Sequence, residues 1–291
     1  MISLYLGLVA ALCWGVHDLC IRMVASRMNV ELALFTVLVT GLAVLAPFAI
    51  AQGDWASMTP TGFGYSAVAG VTYVSGLYAV YRAFAIGPVR LVAPIVGAYP
   101  ILSMLWAAVQ GRMPSYDQFA AVLVIVLGVG LIAALSDEVG HAPASTVDAA
   151  APTVTKRTAI FWAIGGALGF PVTFALGNLG VEHGSELPVT LMTRCSASLA
   201  LFVVLLLGRA RPQLAGVPWK ILVLMGILDV TAMGSVQAAA RYPNPEFAAV
   251  AASTFGMLTI ILAWAFLRER MTPGQWFAAA LVFAGIGYLG H

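Results

Sequence analysis

Ten long apolar runs, parted by short polar breaks, make up almost the whole chain. They are Ser3–Met23, Val30–Ala51, Gly64–Ala85, Leu91–Val109, Asp117–Leu135, Thr158–Leu179, Leu187–Leu207, Pro218–Ala239, Phe247–Phe266 and Pro273–Gly290. A helix rises about 1.5 Å per residue, so about 20 apolar residues match a hydrocarbon layer roughly 30 Å thick. The pattern predicts ten membrane-spanning helices. Most breaks are short, and a helix followed by a short loop returns antiparallel beside its neighbour. One break differs: Ser136–Arg157 holds Asp137, Glu138, Pro143, Asp148, Pro152, Lys156 and Arg157 without apolar periodicity. It reads as a polar linker, residues 137–157, between a first five-helix repeat at 1–136 and a second at 158–291.

Composition agrees with the pattern. Of 291 residues, 61% are hydrophobic and only 9% are Asp, Glu, Lys or Arg, with a mean hydropathy of +0.96. So few charges cannot coat a soluble fold of this size. A net charge of +2 without a basic stripe argues against nucleic acid as a partner. Cys13, Cys20 and Cys195 lie inside apolar runs and read as small buried hydrophobes rather than disulfide or metal partners. The first run begins at Ile2 with no Lys or Arg before it, so no cleavable signal is expected.

The basic residues give a direction. With the N-terminus outside, the odd-numbered connections are cytoplasmic. They hold Arg22, Arg27, Arg82, Arg90, Lys156, Arg157, Arg209, Arg211, Lys220, Arg268 and Arg270, which is 11 of the 14 Lys and Arg residues. Arg112 and Arg241 fall on the other side, and Arg194 lies within a span. This bias predicts both termini outside and the linker in the cytoplasm.

The halves repeat one another. Trp106, Arg112, Met113, Phe119, Ala120 and Ala121 recur 158 residues later as Trp264, Arg270, Met271, Phe277, Ala278 and Ala279. Pro88, Gly128 and Gly130 match Pro245, Gly285 and Gly287 at 157, while Gly70, Val74 and Val80 match Gly226, Val230 and Val236 at 156. Five spans is an odd number, so the second half enters the membrane from the opposite side. The expected fold is an all-α membrane protein of ten transmembrane helices in two inverted five-helix repeats. Such repeats place a solute site near the bilayer midplane and permit two mirror-related states for alternating access.

The local sequences resemble a known family. Trp14-Gly15, the stretch Ala83-Phe84-Ala85-Ile86-Gly87-Pro88-Val89-Arg90-Leu91-Val92-Ala93-Pro94-Ile95, and Arg268-Glu269-Arg270 are similar to the drug/metabolite transporter superfamily in its ten-helix, EamA-type form. Bacterial amino-acid and metabolite exporters look closest. The resemblance covers nearly the whole chain and implies export of small organic metabolites, amino acids first, from a bacterial-type inner membrane, with no cofactor. The alternative it leaves is a proton-coupled drug or other metabolite transporter. The expected partners are the lipid bilayer and a small-molecule solute, and a monomer is compatible with them.

Polar residues within the spans supply site candidates. Asp229 stands near the middle of the eighth span; it could carry a proton or bind solute, or make a hydrogen bond that fixes helix packing. Its repeat counterpart is Tyr73. Tyr73, Leu77 and Tyr81 share a helical face with Tyr78 beside it, and Asp229, Met233 and Gln237 form the matching face. These faces could line a cavity with apolar walls and a few hydrogen-bonding groups, or pack tightly. Pro94 and Pro100 interrupt the fourth span and Pro171 the sixth; Tyr99 and Ser103 stand beside these breaks, while Ser253 and Thr254, next to Gly256, occupy the ninth span, the repeat partner of the fourth. The substrate-binding set is therefore Tyr73, Tyr78, Tyr81, Tyr99, Asp229, Gln237 and Ser253, on the third, fourth, eighth and ninth spans, closed by the first and sixth. Asp18 is expected to pair with Arg22 four residues on, near the headgroups. Arg194 should snorkel or pair with another helix, and Trp162 should sit in an interfacial belt.

An enzyme is not expected. There is no His-Glu-x-x-His or Gly-x-Ser-x-Gly motif, and His17, His141, His183 and His291 are scattered. A retinal receptor would need a mid-span lysine, whereas Lys156 and Lys220 lie at span ends. No nucleotide-binding loop is present.

Overall fold

The computed structural model describes residues 2–25, 28–99, 101–102, 115–135, 153–207, 217–242 and 246–289. These residues are almost wholly helical. The first three spans are α1 (Ile2–Ala25), α2 (Val30–Gln52) and α3 (Pro60–Ile86). α4 (Val89–Gly97) and α5 (Tyr116–Leu135) complete the described first half. The second half holds α6 (Thr153–Glu182), α7 (Glu186–Leu207) and α8 (Trp219–Ala238), then α9 (Glu246–Ser253), α10 (Phe255–Leu262) and α11 (Pro273–Leu289). Helix starts follow local chemistry. The Asn29 side chain accepts from the Leu32 N–H at 3.0 Å to begin α2. The Thr59 hydroxyl accepts from the Gly62 N–H at 3.1 Å to begin α3, where Pro60 supplies a preset first turn.

Pro94 and Pro171 do not break their spans as expected: both stand inside continuous helices, α4 and α6, while the ninth and fourth spans break elsewhere. The ninth is broken: α9 stops at Ser253, α10 starts at Phe255, and the last turns, Ala263–Leu267, widen into a π-helix. That segment ends at Arg268, whose φ of 55° is left-handed. In the fourth, α4 ends at Gly97 and the chain turns at Ala98 and Tyr99. Residues 103–109 of the expected fourth span, including Ser103, lie outside the described residues, as do Pro100 and residues 136–152 of the linker.

By length and composition, α1, α2, α6, α7 and α8 are each able to cross a membrane. Large apolar side chains cover their outer faces, for example Phe48 at 58%, Phe161 at 69% and Leu207 at 78% exposure. Such a surface is costly in water and suited to hydrocarbon.

The packing has two-fold character. α3 packs on α6 and α7; α8, its counterpart five spans on, packs on α1 and α2, the counterparts of those two helices. α1 lies against α9 and α10, just as α6 lies against α4. α2 meets α7, α4 meets α10 and α5 meets α11, so these spans touch their own counterparts. The halves are interleaved rather than set side by side.

The same relation holds at atomic detail. A Cβ placed on Gly70 would stand 2.3 Å from Thr193 O and 2.6 Å from Ser196 Cβ. One on Gly226 would stand 2.8 Å from Val37 O and 2.7 Å from Thr40 Cβ. Gly226, Thr193 and Ser196 each lie 156 residues after Gly70, Val37 and Thr40, respectively. α5 and α11 repeat the device at 157: Gly128 faces Val282 Cγ2 and Ala278 O, while Gly285 faces Ile125 Cγ1 and Ala121 O. Only a missing side chain lets the backbones come this close.

Candidate functional site

The centre of the bundle is built around a carboxylate. Asp229 of α8 is fully buried and accepts three donors: Arg194 Nη2 of α7 at 2.7 Å, the Tyr73 hydroxyl of α3 at 2.6 Å and Trp14 Nε1 of α1 at 3.3 Å. The Arg194 guanidinium also lies 5.8 Å from the Tyr73 ring centre. It fits because α2 carries Gly41 there, where a Cβ would stand 2.5 Å from Arg194 Nη1. Asp229 is thus not a lone acid. A buried charge persists when it is paired and hydrogen-bonded, and four helices from both halves supply that pairing. Arg194 does pair with another helix, the second of its two expected fates.

Beside this cluster lies a narrow cavity with room for about one water. Its walls are chiefly aromatic: Trp14 from α1, Phe170 and Phe174 from α6, Tyr99 after α4 and Phe255 from α10. Trp14 has its ring centre 6.2, 6.0 and 6.1 Å from those of Phe170, Phe174 and Phe255. Tyr99 stands 6.3 and 5.8 Å from Phe170 and Phe174. Leu77, Val80 and Val96 fill the gaps, and His17 and Asp18 are the ionisable lining groups. His17 Nε2 lies 3.1 Å from the Tyr81 hydroxyl, and its Nδ1 lies 3.4 Å from Asp18 Oδ1. Among the described residues, buried Asp18 Oδ2 has no hydrogen-bond partner.

The cavity sits on the two-fold relation. Trp14 and Asp18 correspond, 156 residues on, to Phe170 and Phe174, so matching positions of α1 and α6 form facing walls. The expected closing helices are therefore walls of the cavity itself.

The expected site residues divide among several places. Tyr73 and Asp229 meet each other. Tyr81 holds His17. Tyr78 donates to Glu31 of α2 at 2.9 Å and lies edge-on to Trp162. The Gln237 carboxamide oxygen accepts from Thr190. Ser253 is buried where α9 ends, its carbonyl near Gly97 of α4. Of the seven, Tyr99 lines the cavity. Asp18 does not pair with Arg22. Arg22 instead donates from Nη1 to Phe84 O at 3.0 Å and reaches Glu269 at 4.0 Å. The reason is competition: an outward-reaching guanidinium finds a carbonyl and a carboxylate at the membrane face, whereas Asp18 turns inward beside His17.

Trp14, His17, Asp18, Phe170, Phe174 and Phe255 were not in the expected binding set. The signal was present for most of them. Residues 14, 17 and 18 share one helical face, as do 170 and 174, and the offset of 156 relates the two faces.

Both ends of the bundle are tied. At one end Glu269 accepts from the Val89 and Arg90 N–H groups at 3.2 and 3.3 Å, capping α4 from across the repeat, and Arg90 donates to Arg270 O at 3.2 Å. At the other, Arg241 pairs with Glu186, and the Thr59 hydroxyl donates to His183 O at 3.0 Å.

Comparison with known proteins fixes the family. The profile of the EamA-like transporter family matches twice, over residues 1–134 and 157–290. The chain belongs to the EamA-like transporter family. It is a multi-pass membrane protein of a ten-helix, two-repeat fold. A crystal structure of another protein superposes with a TM-score of 0.68 at 14% identity, over 98% of this chain and 95% of that one, and shares its fold. No curated protein matches the chain. As an EamA-like protein it is a membrane transporter of small molecules, a class that implies no catalytic activity.

Proposed function

We propose that this EamA-like protein exports small organic metabolites, with amino acids the first class to test, across a bacterial inner membrane. The observation that supports the reading is a cavity between the interleaved repeats, walled by matching positions of α1 and α6 and tied shut at both ends. Two inverted halves can exchange roles, so the tie at one face can open while the other holds. The basic residues favour both termini outside, with the 137–157 linker cytoplasmic between repeats at 1–136 and 158–291. The working unit in this reading is a monomer in the lipid bilayer.

Movement is read as downhill. Asp229 is engaged by Arg194, Tyr73 and Trp14, which makes it a poor proton carrier. One observation favours the second reading, proton-coupled transport: Asp18, His17 and Tyr81 form a short chain of groups able to relay a proton at the cavity wall. Purified protein in vesicles loaded with labelled amino acids decides between them. Efflux that is saturable and indifferent to an imposed pH gradient supports the downhill reading. A fixed proton-to-solute ratio overturns it, and failure to move any amino acid overturns the choice of solute.

A further inference from the structure

We propose that the aromatic cavity is a subsite for an organic ammonium group, with Asp18 as its anionic anchor. The inference rests on the transport reading and moves its solute class from free amino acids to organic amines.

The lining has the chemistry of cation recognition. Trp14, Tyr99, Phe170, Phe174 and Phe255 surround the space, and ring faces attract a desolvated cation. Asp18 lines that space at 4% exposure, and among the described residues its buried Oδ2 has no hydrogen-bond partner. Its other oxygen is held weakly, 3.4 Å from His17. A buried carboxylate oxygen left unsatisfied costs free energy that a donor from outside would recover. An ammonium group supplies both the charge and the N–H donors.

The lining lacks the complementary group. Among the described residues, neither Lys nor Arg lines the cavity, and the nearby Arg194 is bound to Asp229. A solute carboxylate brought into this space would meet Asp18 and aromatic faces, both unfavourable to an anion. The subsite therefore selects amines with an apolar body, or amino acids whose carboxyl is masked, over free amino acids. The asymmetry between repeats creates this preference: Asp18 and Trp14 on α1 oppose Phe174 and Phe170 at the matching positions of α6. In the present conformation the space holds about one water, so a solute enters as the walls part. Tyr99 follows the end of α4 and Phe255 opens α10.

The test uses the full chain, with phenethylamine and phenylalanine as probes that differ by the carboxylate. Titration calorimetry on purified protein should show phenethylamine binding at least ~10-fold more tightly than phenylalanine, the size of one charge-assisted contact. Phenylalanine methyl ester should bind like the amine. Asp18→Asn should weaken amine binding by ~10-fold or more while Asp18→Glu restores most of it. Equal binding of amine and amino acid by the unaltered protein overturns the proposal, as does absence of amine binding or an Asp18→Asn variant that binds as well. Counterflow of labelled phenethylamine in vesicles then tests the transport reading separately: binding without flux sinks transport and leaves the subsite standing, whereas saturable flux of free amino acids without amine binding does the reverse.

Discussion

Tyr73 and Asp229 occupy matching positions in the two repeats, 156 residues apart, and meet through a 2.6 Å hydrogen bond. The pseudo-two-fold relation passes between them. An exact repeat would place two tyrosines or two aspartates there. Two facing carboxylates would repel, so the contact works because the halves have diverged.

Arg194 occupies the position that Leu38 holds in the first half, and its charge is supported by Asp229. Removing either partner leaves a buried charge, so Asp229→Leu and Arg194→Met should each destabilise by about 3–5 kcal/mol. The double variant removes both charges and should recover most of that loss. Thermal unfolding in detergent, read as a double-mutant cycle, measures the coupling. Two single losses that simply add would show that the ion pair is not what fixes these helices.

Orientation follows from the 11 basic residues assigned to one side. Ala144→Cys in the linker and Gln52→Cys at the exposed end of α2 should label with an impermeant maleimide from opposite sides of the membrane, Gln52→Cys from outside. Labelling of Ala144→Cys from outside in intact cells reverses the topology without touching the repeat.

Matching glycines should respond alike. Gly70→Ala and Gly226→Ala each drive a methyl into a neighbouring helix and should each cost about 1–3 kcal/mol, the usual range for overpacking. Gly130 and Gly287 are also repeat partners, but among the described residues nothing lies within 4 Å of a Cβ at either. Alanine there should be neutral or stabilise by up to about 1 kcal/mol through helix propensity. Unfolding midpoints of the four variants, measured side by side, test whether the symmetry is energetic as well as geometric.

Much of this was legible in the sequence. The apolar runs placed the helices because hydrocarbon admits few alternatives to a helix, and the offset of 156 paired Tyr73 with Asp229. The break at Thr254 was less visible, since no proline marks it. The tyrosines of α3 do share faces, yet Tyr73, Tyr78 and Tyr81 find Asp229, Glu31 and His17 because each hydroxyl meets a different helix. Phe170 and Phe174 could be read only through the offset of 156 from Trp14 and Asp18, and Phe255 gave no contrast inside an apolar run, where one more aromatic looks like core. Asp18 was assigned to Arg22 on spacing alone, and spacing does not see Glu269, 251 residues away in sequence from Asp18 but beside Arg22 in space.

Glu269 offers the last prediction. It accepts the first two N–H groups of α4 and lies 4.0 Å from Arg22 of α1, so one side chain holds a helix start and a neighbouring helix at the same membrane face. Glu269→Gln keeps an acceptor but loses the charge, at a cost of about 1.5 kcal/mol for a charge-assisted contact. That corresponds to roughly a tenfold rise in the population open at this face. Native Cys20 is a built-in reporter, buried at 8% exposure two residues from both Asp18 and Arg22. With Cys13 and Cys195 replaced by Ala, maleimide labelling of Cys20 should speed up about tenfold in Glu269→Gln, if reagent reaches it through that opening, and overall stability should change little. Unchanged labelling would mean that Glu269 caps α4 without gating the path. Faster labelling accompanied by a collapse in the unfolding midpoint would mean that the tie holds the fold rather than one of its two faces.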